Sequence, residues 1–303
     1  IHRQLISDHG FHFLSNYNYA LFLSMLGRDE EALQFLNICL DIVPEAPEAV
    51  SEIQRITQKS NSVLSSLYFG VESCNWDLVK KLLVENKEMI DPTYYWSIIS
   101  DLPFNIASSI EDVDTLIPLP QFTTYYLYSS ADDCSIFLPK LEQYIKNQES
   151  LICDRAGKPT RVGMQSHELI LGANNDVIID LTERLKPLIT KFVQSNPLLN
   201  KMCYSMFFQK NLSGWGVVLS KAGYQKRHIH PEAIVSGVVY IKLSDECIDQ
   251  SLSGGNLLLH SYQNDVMITP NEGLVVLFPS YLAHETIPLS YDHERICIAF
   301  NYF

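Results

Sequence analysis

Five histidines are concentrated in the C-terminal stretch from Trp215 to Phe303. Two of them, His228 and His230, are two residues apart, so on a strand their side chains project to the same side. His284 follows the apolar run Leu274–Phe278 after a Pro-Ser-Tyr turn. Imidazole is the side chain that most often binds transition metals in proteins. The spacing therefore predicts a metal site with two ligands from one strand and a third from a strand made adjacent by folding.

An arginine follows at a position where a metal site of this kind would use it. Neutral imidazoles and a carboxylate on one face of an octahedral ion leave other positions open, as non-haem Fe(II) oxygenases require. A 2-oxoglutarate cosubstrate would chelate two of these positions and leave one for dioxygen. Its far carboxylate needs a planar charged partner, and Arg is suited to a bidentate grip. Arg295, eleven residues after His284, is predicted to be this partner.

The motifs of this stretch resemble those of the 2-oxoglutarate- and Fe(II)-dependent oxygenases, and most closely those of a largely uncharacterised subgroup. The matching residues are His228-Ile-His230-Pro231, Ser236-Gly237-Val238, Tyr240, Leu277-Phe278-Pro279-Ser280, His284 and Glu294-Arg295-Ile296. The resemblance implies a double-stranded β-helix, the jelly-roll architecture also found in cupins, that binds Fe(II) through His228, His230 and His284. It further implies that Arg295 and Tyr240 hold the 2-oxoglutarate cosubstrate and that dioxygen is the oxidant.

One departure from the wider superfamily concerns the second ligand, which is usually an acid and here is His230. An all-His site still holds Fe(II), but the ion keeps its full positive charge. Glu232 would face the same way if the strand continued through Pro231. We therefore predict His228 and His284 as ligands, with His230 as the third and Glu232 as its alternative. Polar surface residues at a strand end are the competing interpretation of the His pair, and the ordered third His and Arg argue against it.

The remaining histidines and the flanking segments are predicted to have supporting roles. His260 is predicted to be structural and His293, in a polar turn, to be solvated. Phe122–Tyr128 predicts a strand, while the stretches 135–149 and 181–194 predict helices that pack outside the β-helix. Residues 155–166 contain Gly and Pro and are predicted to form a loop over the pocket mouth.

The N-terminal residues have a helical pattern. Ala20, Gly27, Ala32 and Pro44 fall at the spacings of a tetratricopeptide repeat, where small residues allow close helix packing, Gly turns the corner and Pro ends the second helix. An amphipathic helix is predicted at Trp76–Asn86. These patterns predict a helical, tetratricopeptide-like domain over residues 1–110 and an oxygenase domain over residues 111–303. Such helices either pack on neighbours or bind peptides.

Composition sets limits on partners and location. With 303 residues, 47% of them hydrophobic, the chain has room for two domains. A net charge of -13 without a basic cluster disfavours a nucleic-acid partner. No apolar run is long enough to predict a membrane span, and no charged-then-apolar leader opens the chain. Seven scattered cysteines predict free thiols in a reducing compartment, hence a cytoplasmic protein.

The sequence thus predicts a 2-oxoglutarate- and Fe(II)-dependent dioxygenase, a hydroxylase by default, preceded by helical repeats. By analogy with other repeat-linked oxygenases, a protein or peptide is the first expectation for the substrate. Two alternatives stay open: a cupin-like metalloenzyme without 2-oxoglutarate, and a non-catalytic helical-repeat binding protein. Arg295 argues against the first, and the intact His228, His284 and Arg295 argue against the second.

Overall fold

The chain divides into two compact units in a computed structural model, one of residues 1–87 with 156–158 and one of residues 88–155 with 159–303. The structure describes residues 13–26, 28–44, 46–59, 62–87, 90–111, 121–128, 130–168, 170–205, 212–231, 233–243, 247, 252–261, 265–290 and 294–303. The predicted domain boundary between residues 110 and 111 stays a prediction.

The first unit is helical, as predicted. Its helices are α1 (Phe13–Met25), α2 (Asp29–Ile42), α3 (Pro47–Lys59), α4 (Ser62–Glu72) and α5 (Trp76–Asn86). Ala20 on α1 and Ala32 on α2 are fully buried in one apolar cluster, which fits the close packing expected of small residues. Gly27, the predicted corner residue, lies outside the described residues. The tetratricopeptide class stays a prediction, whereas the helix at Trp76–Asn86 is confirmed with the predicted bounds.

The helices of the second unit flank a sheet. They are α6 (Pro92–Asp101), α7 (Phe104–Ala107), α8 (Ala131–Lys146), a 3-10 turn (Ile170–Gly172), α9 (Asp176–Ser195) and α10 (Pro197–Ser205). The two predicted helices correspond to α8 and α9, and each begins earlier than predicted. The reason is capping: the side chains of Ser130 and Asn175 accept hydrogen bonds from backbone N–H groups of the first turn.

The sheet of the second unit is antiparallel. Its strands are β1 (Thr123–Tyr126), β2 (Ile152–Cys153), β3 (Thr160–Gln165), β4 (Leu212–His228), β5 (Val235–Lys242), β6 (Leu257–Leu259), β7 (Val266–Ile268), β8 (Leu274–Pro279), β9 (His284–Thr286) and β10 (Arg295–Tyr302). The main path runs β1-β8-β5-β10-β4-β9-β6-β7, and β3 joins it beside β4. The predicted fold class, N-terminal helices followed by a double-stranded β-helix with flanking helices, is confirmed.

Strand β4 positions much of the site because it serves two parts of the sheet. Its first half pairs with β10, from Leu212 to Leu219, and its second half pairs with β9 at Gln225 and His228. Between the halves, Ala222 has a φ of +63°, in the left-handed region that non-glycine residues rarely adopt. A bend of this kind lets one strand turn a corner between two sheet surfaces.

The prediction of a loop over residues 155–166 was wrong for its second half. Thr160–Gln165 forms β3, which pairs with both β2 and β4. The Gly in this segment was taken as a loop signal, but Gly163 lies within the strand. A Cβ there would approach the Val218 carbonyl oxygen to 3.0 Å and overlap the Leu219 side chain. Gly is therefore used here for close strand packing, not for a turn.

Candidate active site

The three predicted metal ligands converge in one place. His228 is the last residue of β4 and His284 the first of β9, and the two are direct partners in the ladder between these strands. His230 lies two residues beyond the end of β4. The ring centroids are 4.2 Å apart for His228 and His284, 4.9 Å for His228 and His230, and 5.1 Å for His230 and His284. One nitrogen from each ring lies within 4.8 Å of the other two.

Backbone carbonyls fix two of these rings. His228 Nδ1 lies 2.6 Å from the Lys226 carbonyl oxygen, and His284 Nδ1 lies 2.9 Å from the Leu282 carbonyl oxygen. Since a carbonyl only accepts, each Nδ1 carries the proton and donates. The proton on Nδ1 leaves Nε2 with a free lone pair, which is the arrangement that orients a metal-binding imidazole.

His230 is held differently from the way the sequence predicted. The expectation was strand alternation, but β4 ends at His228 and His230 belongs to the turn that follows. Its backbone N–H donates to the Ser280 carbonyl oxygen at 3.1 Å, and its carbonyl accepts from Ala233 N at 3.1 Å. Its ring packs 5.5 Å from the Trp215 ring. Glu232, the alternative ligand, lies outside the described residues.

The environment keeps the imidazoles in the form that binds metal. Burial lowers the pKa of His228 from 6.5 to about 4. Burial, followed by the nearby His228, lowers the pKa of His284 well below its usual value. Both rings are therefore neutral at physiological pH, with lone pairs available to a cation.

Arg295 lies in the same pocket as the imidazoles and is only 1% exposed. Its Nε donates to the Gly255 carbonyl oxygen at 3.0 Å and its Nη1 to Cys297 Sγ at 3.4 Å. No carboxylate of the described residues lies within ion-pair distance of the guanidinium. A buried charge without a counter-ion is costly. The pocket therefore offers a strong site for an anion.

Tyr240 completes this end of the pocket. Its ring lies 4.9 Å from the Arg295 guanidinium carbon. Its hydroxyl is buried and makes no hydrogen bond within the part of the chain that the structure describes. Burial raises the pKa of the hydroxyl, so it is a neutral donor at physiological pH. Tyr240 and Arg295 line the same pocket as the three imidazoles.

The strand-rich part of the second unit matches a known protein family. Residues 213–301 match the family model described as "Putative 2OG-Fe(II) oxygenase". This stretch is a 2-oxoglutarate- and Fe(II)-dependent oxygenase domain. The enzyme class predicted from the motifs, an oxidoreductase of this type, is confirmed. The chain matches no curated protein.

Solved structures similar to the chain include three that are of low identity. A Pseudomonas putida prolyl-4-hydroxylase is 15% identical over 62% of this chain and 96% of that chain, with a TM-score of 0.45. A Trichoplax adhaerens prolyl hydroxylase, in complex with a hypoxia inducible factor oxygen degradation domain peptide fragment, is 17% identical over 63% and 86%, with a TM-score of 0.46. HygX from Streptomyces hygroscopicus, with nickel and 2-oxoglutarate bound, is 12% identical over 63% and 87%, with a TM-score of 0.36.

The family implies Fe(II), 2-oxoglutarate and dioxygen, and the residues of the oxygenase domain fit them. Three nitrogen donors face one another at one end of the pocket, and imidazole suits iron. At the other end, a guanidinium without a counter-ion and a hydroxyl without a hydrogen bond, as far as the described residues go, suit a carboxylate. These groups belong to Arg295 and Tyr240, the two residues predicted from the sequence for the cosubstrate.

The oxygenase pocket also contains polar residues that the sequence did not single out. Trp215, Gln225 and Thr286 line it, and the Trp215 indole N–H is buried with no hydrogen-bond partner among the described residues. Trp215 opens the strand-rich stretch, but only pairing with β10 shows that it faces the pocket. Gln225 is three residues from His228, an odd spacing that in a regular strand predicts the opposite face.

The other predicted histidines lie away from the imidazole cluster or outside the described residues. His260 contacts two carboxylates, with Nδ1 3.3 Å from Asp265 and Nε2 3.2 Å from Glu285. This position between acids fits the predicted structural role. His293 lies outside the described residues. Across the ranges that the structure describes, no helix has the length and apolar character to cross a bilayer.

Proposed function

We propose that the protein is a hydroxylase that uses 2-oxoglutarate, binds Fe(II) through His228, His230 and His284, and acts on a polypeptide. The proposal rests mainly on one observation: a single pocket contains both a site for a cation and a site for an anion. Three imidazoles at one end, two of them kept neutral by burial, offer lone pairs to a cation, and the buried Arg295 at the other end attracts an anion. A metal chelated by a dicarboxylate satisfies both.

When bound, Fe(II) and 2-oxoglutarate supply the oxidising chemistry: 2-oxoglutarate is decarboxylated to succinate, and the second oxygen atom of dioxygen enters the substrate as a hydroxyl. The chain's own residues hold and orient these reactants. Arg295 and Tyr240 grip the far carboxylate, while Phe278, 4.6 Å from the His284 ring, restrains that imidazole. Apolar side chains such as Val238 exclude water from the pocket, and water exclusion strengthens each of these electrostatic contacts.

Conversion of 2-oxoglutarate to succinate by the purified full chain with Fe(II), without any added substrate, tests the oxygenase part. The expected result is a slow background conversion that the His228→Ala variant lacks. Equal conversion by parent and variant would contradict the proposal. A cupin-like enzyme without the cosubstrate would instead bind metal and leave 2-oxoglutarate unchanged.

The identity of the third ligand is tested by iron content in a separate set of variants. If His230 is the ligand, His230→Ala loses iron and Glu232→Ala keeps it. His230→Asp is expected to retain iron because it supplies the acid of the commoner triad, although its shorter reach changes the geometry. The reverse pattern, with loss only in Glu232→Ala, would assign the role to Glu232.

Support for a polypeptide substrate comes from two features. The Trp215 N–H lies beside His230 and has no partner among the residues described, so it is available to donate to an acceptor such as a peptide carbonyl. The helical unit exposes large apolar side chains, with Phe22 47%, Met25 64% and Phe69 63% exposed, and these are available for contact with a protein partner. These features favour a protein partner for the helices and a peptide for the pocket.

Hydroxylation of proteins in a cell extract tests whether the substrate is a polypeptide. Extract proteins are incubated with the parent or with His228→Ala, and peptides are compared by mass spectrometry. We expect a small set of peptides that gain one oxygen atom only with the parent, and a smaller yield with Phe69→Asp. If oxygen is gained only by small metabolites, the substrate is not a polypeptide.

A further inference from the structure

Two polar side chains form a pair beside the imidazoles, Gln225 on β4 and Thr286 on β9. They are direct partners across the β4–β9 ladder, as His228 and His284 are, and all four line the pocket. The pairs are two β9 residues apart, which is about 7 Å along a strand. The pocket therefore contains two adjacent cross-strand pairs, one of imidazoles and one of an amide and a hydroxyl.

A bulge in β4 brings Gln225 into the pocket. Residues three apart on a regular strand point to opposite faces. Between Gln225 and His228 the register with β9 shifts, so that three steps along β4 correspond to two along β9. A bulge adds one residue and re-aims the side chains beside it. The irregular backbone is what allows both residues to line the same pocket.

Gln225 is held at both ends of its amide. Thr286 Oγ1 donates to Gln225 Oε1, and Gln225 Nε2 donates to Thr160 Oγ1, each at 3.4 Å. Thr160 Oγ1 donates in turn to Gln165 Oε1 at 2.8 Å, and all four side chains are buried. These bonds use one of the two N–H groups of the Gln225 amide. The second has no acceptor among the residues that the structure describes.

We infer that Gln225 is a cosubstrate-binding residue, whose second amide N–H donates to 2-oxoglutarate, and that Thr286 is the positioning residue that fixes the amide. The inference rests on the proposed function, since it adds a contact to the same ligand. 2-Oxoglutarate carries five oxygen acceptors: two would chelate the metal, and Arg295 and Tyr240 hold the two of the far carboxylate. One oxygen of the near carboxylate remains, on the side of the pocket where the imidazoles and Gln225 lie. Buried acceptors require donors, and a neutral amide supplies one without repelling a dianion.

Calorimetric titration of the full chain with 2-oxoglutarate, in the presence of Mn(II), tests this assignment without turnover. Gln225→Leu is expected to bind about 10- to 100-fold more weakly, the range for a hydrogen bond to a charged group. Gln225→Glu is expected to bind more weakly still, because it places a like charge beside the dianion. Thr286→Val leaves the Gln225 amide in place but removes the hydrogen bond that orients it. Affinity for 2-oxoglutarate is expected to fall by roughly 2- to 10-fold.

Gln165→Leu is the matched control. It breaks the same chain of hydrogen bonds at the end away from the pocket, so it is expected to lower the thermal midpoint while leaving 2-oxoglutarate affinity unchanged. Equal loss of affinity in Gln225→Leu and Gln165→Leu would overturn the inference, as would parental affinity in Gln225→Leu. If Gln225→Leu does not fold, the 2-oxoglutarate affinities of Gln225→Glu and Thr286→Val are compared with those of the parent and Gln165→Leu instead. A parent chain that does not bind 2-oxoglutarate overturns the proposed function itself.

Discussion

The two ends of the pocket are constructed in different ways. At the imidazole end, His228 and His284 each bond to a carbonyl two residues earlier in the chain. At the arginine end, the Arg295 guanidinium bonds to Gly255, forty residues away, and lies over Tyr240 on a different strand. Local contacts orient the rings of His228 and His284, whereas the guanidinium combines one local contact, with Cys297, with distant ones to Gly255 and Tyr240.

This difference predicts how each end responds to substitution. A locally fixed imidazole loses its function when it is itself replaced, and its neighbours change little. A guanidinium fixed by distant groups also responds to changes in those groups. The four predictions that follow test this contrast, from complete loss of metal to a modest change in affinity.

The largest effect is expected from the imidazoles. His228→Ala and His284→Ala are each expected to lose nearly all bound iron, because two remaining neutral donors hold a divalent ion poorly. Iron content of the purified variants, measured by atomic emission, checks this. His167→Ala is the control, since His167 is not among the residues that line the pocket. Stoichiometric iron in both pocket variants would exclude this cluster as the metal site.

Arg295→Met is expected to come next. It removes the charge-assisted grip on the far carboxylate, at a cost of about 2–5 kcal/mol, or roughly 30-fold or more in 2-oxoglutarate affinity. Iron content is expected to stay at the parental value, which separates the two ends of the pocket. Arg295→Lys keeps the charge but not the planar fork. Its 2-oxoglutarate affinity is therefore expected to lie between those of the parent and Arg295→Met. Unchanged affinity in Arg295→Met would make Arg295 structural and favour a cupin-like enzyme.

The same contrast explains which parts of the site the sequence predicts. The types and order of His228, His284 and Arg295 carry the chemistry, so these three could be named without a fold. The position of His230 could not, because it depends on a turn held by the Ser280 carbonyl. Gln225 could not either, because a bulge reverses the face that its spacing predicts. Long-range pairing decides these positions, and periodicity contains no information about it.

At the level of the fold, the sequence predicted element types better than it predicted boundaries or irregular strands. Helix α5 has the predicted bounds because its apolar spacing and its Asn75 cap agree. The helices α8 and α9 extend further toward the N-terminus, to their caps. Strand β3 was predicted as a loop, because Gly and Pro are loop signals unless the close approach of a neighbouring strand is known.

Gly255→Ala tests whether the arginine end depends on distant groups. Gly255 has a φ of +78°, and a Cβ there would overlap the Cys247 sulfur and approach Arg295 Cδ to 3.2 Å. The expected result is displacement of the guanidinium and a loss of about 10-fold or more in 2-oxoglutarate affinity, since ångström-scale misplacement is costly. Gly172→Ala is the control, because a Cβ at that position meets nothing within 4 Å. Parental affinity in Gly255→Ala would mean that Arg295 is positioned without this loop.

The smallest effect is expected for Tyr240→Phe, which is expected to lower 2-oxoglutarate affinity without lowering thermal stability. The Tyr240 hydroxyl is buried without a hydrogen bond in the described part of the chain, and such a group costs about 1–3 kcal/mol. Its removal is therefore expected to keep or raise the thermal midpoint. The same hydroxyl is expected to donate to the bound carboxylate, so 2-oxoglutarate affinity is expected to fall by about 10-fold, the lower end for a bond to a charged acceptor.

Thermal denaturation with and without 2-oxoglutarate measures both quantities in one series. A group that serves only the fold would lose stability and keep affinity, whereas a group held ready for a ligand loses affinity and keeps stability. A lower midpoint with parental affinity would remove Tyr240 from the arginine end of the pocket.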